Sequence, residues 1–261
     1  MITVVIPTYN EAQNLSKLLE KLDCEVIVVD SGSTDGTVEV AKRYGVPVVH
    51  SKVPNRGHQM NLGAKHASGD LLFLHADSRL PKEWKSYVDE ALDLGLWGGF
   101  KVRFDSNDLF YRFVEFRSNI IRAKLFKVLL GDQGIFVRRK VFYEIGGFPE
   151  VPVFEDLLLS KKLRRIGGFR FLSKPIISSA RRFEEHGKVR TYFAMFVAMN
   201  MHHLRFSLGK VKRVYSRLQR RPYHFLRRFG KMIMASKRIA GKIKARGPFM
   251  NWSPKYTKKG E

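Results

Sequence analysis

TVVIPTYNEAQNLSKLLEKLDCEVIVVDSGSTDG (residues 3–36) decides the fold, because it passes from a strand pattern to a helix pattern and back. Residues 3–7 and 25–30 are short β-branched runs, and residues 11–22 carry apolar side chains at helical spacing. The alternation continues with a helix at 36–45, a strand at 46–50, a helix at 58–67 and a strand at 70–77. Apolar strands separated by helices predict a doubly wound α/β fold, in which helices cover both faces of a parallel sheet.

Polar residues follow three of these strands. Residues 8–11 come after the first strand, residues 30–35 after the second and residues 75–77 after the fourth. In a doubly wound sheet, ligands bind beyond the carboxyl ends of the strands. Neither a GxGxxG nor a GxxxxGK[ST] pattern occurs, so the dinucleotide fingerprint and the Walker phosphate loop are both absent. These strand ends therefore predict a different kind of nucleotide site.

The charge is distributed unevenly along the chain. The 261 residues include 48 Lys and Arg against 24 Asp and Glu, for a net charge of +24, and 44% are apolar. Residues 201–261 hold 18 basic residues and one acidic residue, which gives +17, whereas residues 1–200 hold 30 and 23, which gives +7. We therefore predict a globular domain over residues 1–200 and a basic helical appendage over residues 201–261, whose partner is polyanionic.

The appendage has the pattern of basic amphipathic helices. Its apolar residues recur at intervals of three and four between Arg and Lys, up to a break at Pro222. Acidic lipids attract such segments; alternatively, the apolar side packs on the domain and the charges are only solvated. The longest uncharged apolar stretch, residues 191–204, is shorter than the about 20 residues of a membrane-spanning helix.

The beginning of the chain and its cysteine content predict a compartment. The N-terminal segment lacks the basic start of a secretory signal, and the single thiol, Cys24, excludes an internal disulfide framework. We expect a cytoplasmic protein that associates with the membrane surface peripherally.

Several motifs together resemble a known family. VIPTYNEAQNL (residues 5–15), VIVVDSGSTDGT (residues 26–37) and two later segments (residues 55–81 and 131–167) resemble family 2 glycosyltransferases. These enzymes have the GT-A fold and use nucleotide-diphosphate sugars. The resemblance covers residues 1–190 and is greatest to a subgroup with HAD in place of DXD and with a GDQG motif. It implies that residues 1–200 form a GT-A domain with glycosyltransferase activity.

The resemblance assigns the donor site to the first two strand ends. It places the nucleoside against Pro7, Tyr9 and Glu11, while Asp30 and Asp35 reach the base or the ribose. A carboxylate at a strand end can accept hydrogen bonds from ribose hydroxyls or a uracil N–H. Alternatively, Asp35 only caps the helix that follows it.

The DXD metal motif corresponds to His75-Ala76-Asp77 in this sequence. Asp77 is the expected ligand of Mg²⁺ or Mn²⁺, because such an ion needs few carboxylates when phosphates and waters complete its shell. His75 suits Mn²⁺ or a hydrogen bond to the diphosphate, unless it simply ends a buried strand. His186 is expected to complete the metal shell, with a structural histidine as the alternative. Arg56 is expected to bind the diphosphate, with an exposed loop charge as the alternative.

The catalytic base is expected in the pair Glu155-Asp156, which opens a helical pattern after a turn. By the resemblance, Asp156 takes the proton from the acceptor hydroxyl, and Glu155 positions it or acts as a second acid. Alternatively, one of the two carboxylates caps the helix. Direct displacement by an oxygen activated in this way inverts the anomeric centre. Asp132, Gln133 and Gly134 resemble the wall of the acceptor site, although a plain turn before a strand would look the same.

Residues 107–131 connect the donor half to the acceptor half and are unusually rich in aromatic and basic residues. Such a helix beside the acceptor site indicates a surface that meets lipid, although core packing also explains its apolar side. Together with the appendage it favours a lipid-linked acceptor. The apolar residues of this segment include Phe110, Phe113, Val114, Phe116, Ile120, Ile121, Leu125, Phe126 and Leu129.

Two other functions compete with this interpretation. A nucleic-acid-binding protein could use the appendage as a phosphate-contacting stripe, which would leave the DSGSTDGT, HAD and FED motifs without a role. A sugar-phosphate nucleotidyltransferase usually has a glycine-rich basic loop after its first strand, and PTYNEAQNL contains no glycine. We therefore predict that the protein binds a nucleotide sugar, an acceptor and an anionic membrane. We predict no binding of nucleic acid.

Overall fold

The computed structural model describes residues 1–220, which form a seven-stranded sheet with helices on both faces. The predicted doubly wound, mostly parallel α/β fold is therefore confirmed. The strands are β1 (Ile2–Thr8), β2 (Glu25–Asp30), β3 (Val48–His50), β4 (Asp70–Phe73), β5 (Trp97–Phe104), β6 (Ile135–Val137) and β7 (Phe169–Ser178).

The helices alternate with the strands in the first half and cluster toward the end of the described chain. A π-helix (Arg117–Leu125) continues directly from α5, and a 3-10 turn (Gly131–Gln133) precedes β6. The α-helices are α1 (Ala12–Leu19), α2 (Thr37–Arg43), α3 (Arg56–His66), α4 (Trp84–Leu94), α5 (Leu109–Phe116), α6 (Arg139–Glu144), α7 (Glu155–Ile166), α8 (Arg181–His186), α9 (Lys188–His203) and α10 (Leu208–Arg220).

The strand order is β3-β2-β1-β4-β6-β5-β7, and one strand reverses direction. β6 runs antiparallel to both of its neighbours, β4 and β5, whereas all other pairs are parallel. Ile135, at the start of β6, pairs with Phe73, at the end of β4. The segment before β6 therefore lies at the same edge of the sheet as the segments after β1, β2 and β4.

The core lies on both faces of the sheet. Alternate residues of β1 divide between two buried clusters: Val4 and Ile6 pack with α1 and α4, and Val5 packs with α3 and α7. Burial on both faces explains why β1 and β2 are continuous apolar runs rather than alternating ones.

Side chains of α5 and the π-helix complete the edge of β5 where the short strand β6 ends. Asn119 accepts from the Val102 backbone N–H and donates to the Val102 carbonyl, both at 2.8 Å. Glu115, four residues earlier, accepts from the Phe104 N–H at 2.8 Å. These two side chains satisfy backbone groups that a strand would otherwise pair, because buried backbone donors need partners.

The predicted boundary at residue 200 falls within α9, and the first helix of the predicted appendage packs against the domain. Val211 and Leu218 of α10 are buried, and Leu218 packs against Ala194 and Val197 of α9. Residues 208–220 therefore follow the alternative in which the apolar side of the appendage packs on the domain. The predicted break at Pro222 and the rest of the appendage lie outside the described residues. Within residues 1–220, no helix combines the length and the hydropathy that a membrane span requires.

The lone thiol lies at the entrance to β2. Cys24 is half-buried, and burial raises its pKa to about 11.

Candidate active site

The loops after β1 and β2 are tied to each other at the predicted donor site. The backbone N–H of Asn10 donates to the Ser33 hydroxyl at 2.8 Å, and the Thr34 N–H donates to the Asn10 side chain at 2.9 Å. Asn10 has a φ of 55°, a left-handed conformation that asparagine tolerates better than most residues. Gln59 of α3 donates to the carbonyls of Thr8 and Val29, which fixes the two strand ends.

Asp30 organises the loop after β2. It is only 1% exposed, and its carboxylate accepts from the backbone N–H groups of Gly32 and Ser33 at 2.9 Å and from the Thr8 hydroxyl at 3.0 Å. Burial by itself raises the pKa of Asp30, but the hydrogen bonds, led by those from Ser33, outweigh it and lower the pKa. Both oxygens are therefore engaged by the protein's own loop, and nucleoside contact by Asp30 stays a prediction.

The other predicted donor residues surround this loop. Tyr9 is 61% exposed and Pro7 is half-buried. Asp35 accepts from the Ala12 N–H at 3.0 Å and from the Thr37 N–H at 3.1 Å, so it does bond to the start of α2, as the capping alternative expects. Glu11 forms an ion pair with Arg181 at 2.9 Å.

Asp156 lies in the first turn of α7 and is held by the segment before β6. Its Oδ2 accepts from the Gly131 N–H at 2.7 Å, and its Oδ1 accepts from the Leu157 N–H at 2.7 Å. A helix N-terminus favours a negative charge, so this position stabilises the ionised carboxylate. A Cβ on Gly131 would lie 2.5 Å from His75 Nε2. Gly131 thus touches the predicted base and the HAD histidine at once.

Glu155 and Arg56 pair with each other. The Arg56 guanidinium lies 3.4 Å from Glu155 Oε1, and Glu155 is buried. Burial and the neighbouring Asp156 carboxylate raise the pKa of Glu155. Arg56, predicted as a diphosphate ligand, therefore contacts the residue beside the predicted base.

The predicted acceptor wall differs from the structure at two of its three residues. Gln133 is fully buried: it accepts from Arg122 at 3.0 Å and donates to the Phe100 carbonyl at 3.3 Å. Gly134 is buried, and a Cβ there would lie 3.2 to 3.3 Å from Phe100 and Ile176. Both residues pack into the core, so they support the wall from behind instead of facing an acceptor.

Asp132, the third residue of that wall, lies near Asp156 and faces Arg122 of the π-helix. The Arg122 guanidinium is 3.7 Å from Asp132 Oδ1, which has no hydrogen-bond partner among residues 1–220. Burial raises the pKa of Asp132, and the Arg122 charge opposes this effect. The sequence reasoning missed Arg122, whose only signal was a cationic position in an aromatic segment.

The three predicted metal ligands do not form a cluster. Within residues 1–220, no three His, Cys, Asp or Glu side chains approach closely enough to hold a metal ion. His75 lines a small inner cavity with Asp156, whereas His186 lines a different, larger cavity. The prediction that His186 completes a shell with His75 and Asp77 therefore differs from the structure, because α8 places His186 at the larger cavity and His75 lines the smaller one.

His75 and Asp77 nevertheless have the chemistry of a site that binds a polar ligand. His75 Nε2 is buried without a partner in the described part of the chain, and burial lowers the pKa of His75 well below its usual value, so the imidazole is neutral. Burial and the Glu11 charge raise the pKa of Asp77. A cation beside Asp77 would relieve both effects on that carboxylate, so the residues fit one metal-binding carboxylate with phosphate ligands.

The larger cavity opens at Asp156 and has a volume of about 490 Å³. Its cationic lining comes from Arg56, Arg182 and Lys212, the last on α10, and the His186 ring lines it as well. The sequence reasoning placed Lys212 in an appendage outside the domain, so it missed this residue. Only the packing of α10 on α9 brings it to the cavity.

Comparison with known proteins identifies the family. The model of glycosyl transferase family 2 matches residues 3–146. The O-antigen chain rhamnosyltransferase RfbN of Salmonella typhimurium is 27% identical over 220 residues, which are 74% of this chain and 70% of that protein. Two other curated relatives, the glycosyltransferase AglE of Haloferax volcanii and a PGL/p-HBAD biosynthesis glycosyltransferase of Mycobacterium bovis, are matched over 56% and 63% of their own length.

Solved structures share the fold at low sequence identity. TarS of S. aureus in complex with UDP-GlcNAc has a TM-score of 0.55 and 21% identity, covering 68% of this chain and 58% of that one. A mannosyltransferase of Pyrobaculum calidifontis in complex with GDP-Man and Mn²⁺ has a TM-score of 0.51 and 18% identity, covering 94% and 81%. Because the family model spans more than half of the 261 residues, the chain belongs to glycosyl transferase family 2.

Proposed function

We propose that the protein is an inverting glycosyltransferase that moves a sugar from a nucleotide-diphosphate donor to a hydroxyl or phosphate of a lipid-linked acceptor. The observation that carries this proposal is the position of Asp156, whose carboxylate is held by the Gly131 N–H at 2.7 Å beside a cavity of about 490 Å³. Family membership supports the reaction class, and His75 of the HAD motif and Gly131 of the GDQG motif line one small cavity with this carboxylate.

Asp156 is the proposed general base. It accepts the proton of the acceptor hydroxyl while that oxygen attacks the anomeric carbon and the bond to the diphosphate breaks. Attack from the face opposite the leaving group inverts the anomeric centre, and this path needs no second carboxylate as nucleophile. An acceptor phosphate is already ionised and has no proton for Asp156 to remove, so the role of general base applies to a hydroxyl acceptor.

The donor is proposed to lie over the ends of β1 and β2. Tyr9, Pro7 and Glu11 line the nucleoside, while Asp30 and Asp35 hold the loop that meets the base or ribose. Glu11 reaches this position while paired with Arg181 at 2.9 Å, so the guanidinium of α8 lies at the donor site as well. Arg56, at the N-terminus of α3, supplies positive charge for the diphosphate.

A divalent cation, Mg²⁺ or Mn²⁺, is proposed to bind Asp77. Such an ion would supply positive charge that offsets the negative charge of the departing diphosphate. The neutral His75 imidazole then donates or accepts a hydrogen bond at the diphosphate.

The acceptor is proposed to enter the cavity at Asp156. Arg182 and Lys212 give it a positive lining, which suits an acceptor that carries a phosphate. The excess of 48 Lys and Arg over 24 Asp and Glu suits work at an anionic surface. We therefore propose that a GT-A domain works at the cytoplasmic membrane surface and that the basic appendage assists its attachment.

Nucleotide binding and transfer can be tested separately. Thermal-shift measurements with UDP, GDP and dTDP sugars, with and without Mn²⁺, should find one nucleoside diphosphate that stabilises the fold in the presence of metal. The variant Asp156→Asn should keep that stabilisation and lose transfer by at least about a hundredfold, because proton abstraction contributes 10²–10⁴-fold. Asp77→Ala should lose the metal-dependent stabilisation.

The outcomes discriminate between the assignments. An equal nucleotide response in the wild type and in Asp77→Ala would contradict the metal site. Transfer that survives in Asp156→Asn would contradict the base.

A further inference from the structure

A row of large apolar side chains is exposed along α5 and the π-helix. Their exposed fractions lie between 39% and 83%, whereas most large apolar side chains of residues 1–220 are buried or only partly exposed. We call this row the apolar stripe. Its members are Leu109, Phe113, Phe116, Ile120, Ile121, Leu125 and Phe126.

The change from α-helix to π-helix keeps these residues on one side. Leu109, Phe113 and Phe116 follow the spacing of four and three that defines one face of an α-helix. The next members are five residues apart, Ile120 with Leu125 and Ile121 with Phe126. Residues five apart on an α-helix point about 140° away from each other, whereas the wider turn that goes with i→i+5 bonding brings them closer to the same side. The π-helix therefore extends the stripe instead of winding it into the core.

The opposite side of the same helices is fixed to the sheet. Tyr111, Val114 and Ala123 are buried there, and Glu115 and Asn119 bond to the backbone of β5. The stripe cannot rotate inward without leaving those backbone groups unpaired, which is costly. Its exposure is thus built into the fold.

The charge around the stripe identifies its partner. Residues 109–127 contain five Arg and Lys against one acidic residue, Glu115, which is itself paired with Arg112. Arg117, Lys124 and Lys127 accompany the exposed side chains, and a basic rim around apolar side chains fits the interface of an anionic bilayer. A second copy of the chain would instead bring two such positive surfaces together.

We propose that the apolar stripe is the surface that enters the interfacial layer of an anionic lipid bilayer. Phe196 of α9, also exposed, lines a groove with Arg117 and extends the surface toward α9. The inward face of the π-helix carries Arg122, which contacts Gln133 and Asp132 behind the cavity of Asp156. The docked orientation therefore presents the acceptor side of the site to the membrane, and to this extent the inference rests on the proposed function.

Site-specific fluorescence tests the docking surface in the full chain. The variants Phe113→Trp and Leu94→Trp place an indole on the stripe or on α4, at a side chain that is also exposed, by 63%. Vesicles of phosphatidylglycerol with brominated phosphatidylcholine quench only an indole that reaches the acyl region. After subtraction of the wild-type signal from the three native Trp, we expect quenching at position 113 and none at position 94.

A sedimentation assay separates the stripe from the basic appendage. At about 0.5 M salt the electrostatic attraction is screened within a few ångströms, so the apolar contribution dominates. The double variant Phe113→Ser/Leu125→Ser should then partition onto the vesicles at least about tenfold more weakly than the wild type, while Leu94→Ser should match the wild type.

Three results would overturn the inference. One is vesicle binding without quenching at position 113, and another is equal quenching at both positions. The third is a combination of two results: the wild type is a dimer in sedimentation velocity whereas the double variant is a monomer, and both bind vesicles equally. In that case a second copy of the chain covers the stripe. No donor or acceptor is present in these assays, so their outcome does not depend on whether the transfer reaction itself is correctly assigned.

Discussion

At the scale of single residues, Gly131 has no room for a side chain. A Cβ would lie 2.5 Å from His75 Nε2 and 2.8 Å from His75 Cε1. In the variant Gly131→Ala, either His75 or the Gly131 N–H that holds Asp156 must move. We expect a destabilisation of about 1–3 kcal/mol from overpacking, measured by chemical denaturation, and a larger loss in transfer rate than in nucleotide binding.

Gly209 on α10 provides the matched control. A Cβ there meets no atom within 4 Å, so Gly209→Ala should be neutral or slightly stabilising through helix propensity. If Gly131→Ala behaved like Gly209→Ala in both assays, the close packing of Gly131 against His75 would contribute neither to stability nor to the transfer rate.

Asp30 gives a pH dependence whose sign is fixed by its hydrogen bonds. The pKa of Asp30 is lower in the folded state than in the unfolded state, where it is about 3.9. The ionised carboxylate therefore contributes its full stabilisation of the fold at any pH above that unfolded-state pKa. That stability is lost as the pH falls through the folded-state pKa. Asp30→Asn should cost about 1–3 kcal/mol near neutral pH, measured by urea unfolding, and the gap to the wild type should narrow below about pH 4.

The exposed Asp23 serves as the comparison. Asp23→Asn should change the free energy of unfolding by less than about 0.5 kcal/mol. A constant difference between Asp30→Asn and the wild type down to pH 3 would contradict the role given to the Asp30 carboxylate.

At the scale of elements, the π-helix is attached to β5 through one amide. Asn119 bonds both backbone groups of Val102 at 2.8 Å and is buried. Asn119→Ala leaves a buried donor and a buried acceptor unpaired, so we expect a loss of about 2–4 kcal/mol in the free energy of unfolding. Asn200→Ala, at an exposed asparagine of α9, should change the free energy of unfolding by less than about 0.5 kcal/mol, and an equal loss in both variants would contradict the anchoring role.

The reversed direction of β6 is a feature of the fold that could not be predicted from the sequence, whereas the parallel strands before it could. The strand ends at residues 8–11, 30–35 and 75–77 were predictable, because parallel strands share one carboxyl edge. The GDQG segment precedes its strand, and in a fully parallel sheet it would lie at the opposite edge. Only the antiparallel pairing of Ile135 with Phe73 places it beside His75. Strand direction depends on pairing partners far apart in sequence, so local periodicity does not contain it.

The predictions for Gln133 and Gly134 differ from the structure for a related reason. Residue type and turn pattern indicated that both lie at the site, but burial decides which way a side chain points. Gln133 turns toward Phe100 and Arg122 because its amide finds partners there. These partners lie on β5 and the π-helix, so they cannot be predicted from the GDQG motif alone.

At the scale of the whole molecule, the described residues contain every residue that we assign to donor binding and to the base. A chain that ends after residue 220 should therefore keep the thermal stabilisation by a nucleoside diphosphate. It removes 12 of the 18 basic residues of the appendage, so its binding to anionic vesicles should become weaker and less dependent on salt. A folded, truncated chain without a nucleotide response would contradict the assignment of the donor site and revive the nucleic-acid alternative.

The half-buried Cys24 has a practical consequence for all of these measurements. Because its pKa is about 11, very little of the reactive thiolate exists at neutral pH. A cysteine introduced at an exposed position will consequently be alkylated well before the native one. Paired spin labels or fluorophores can therefore be attached to an otherwise unaltered protein, and distances across the cleft can be followed during turnover without first replacing a native side chain.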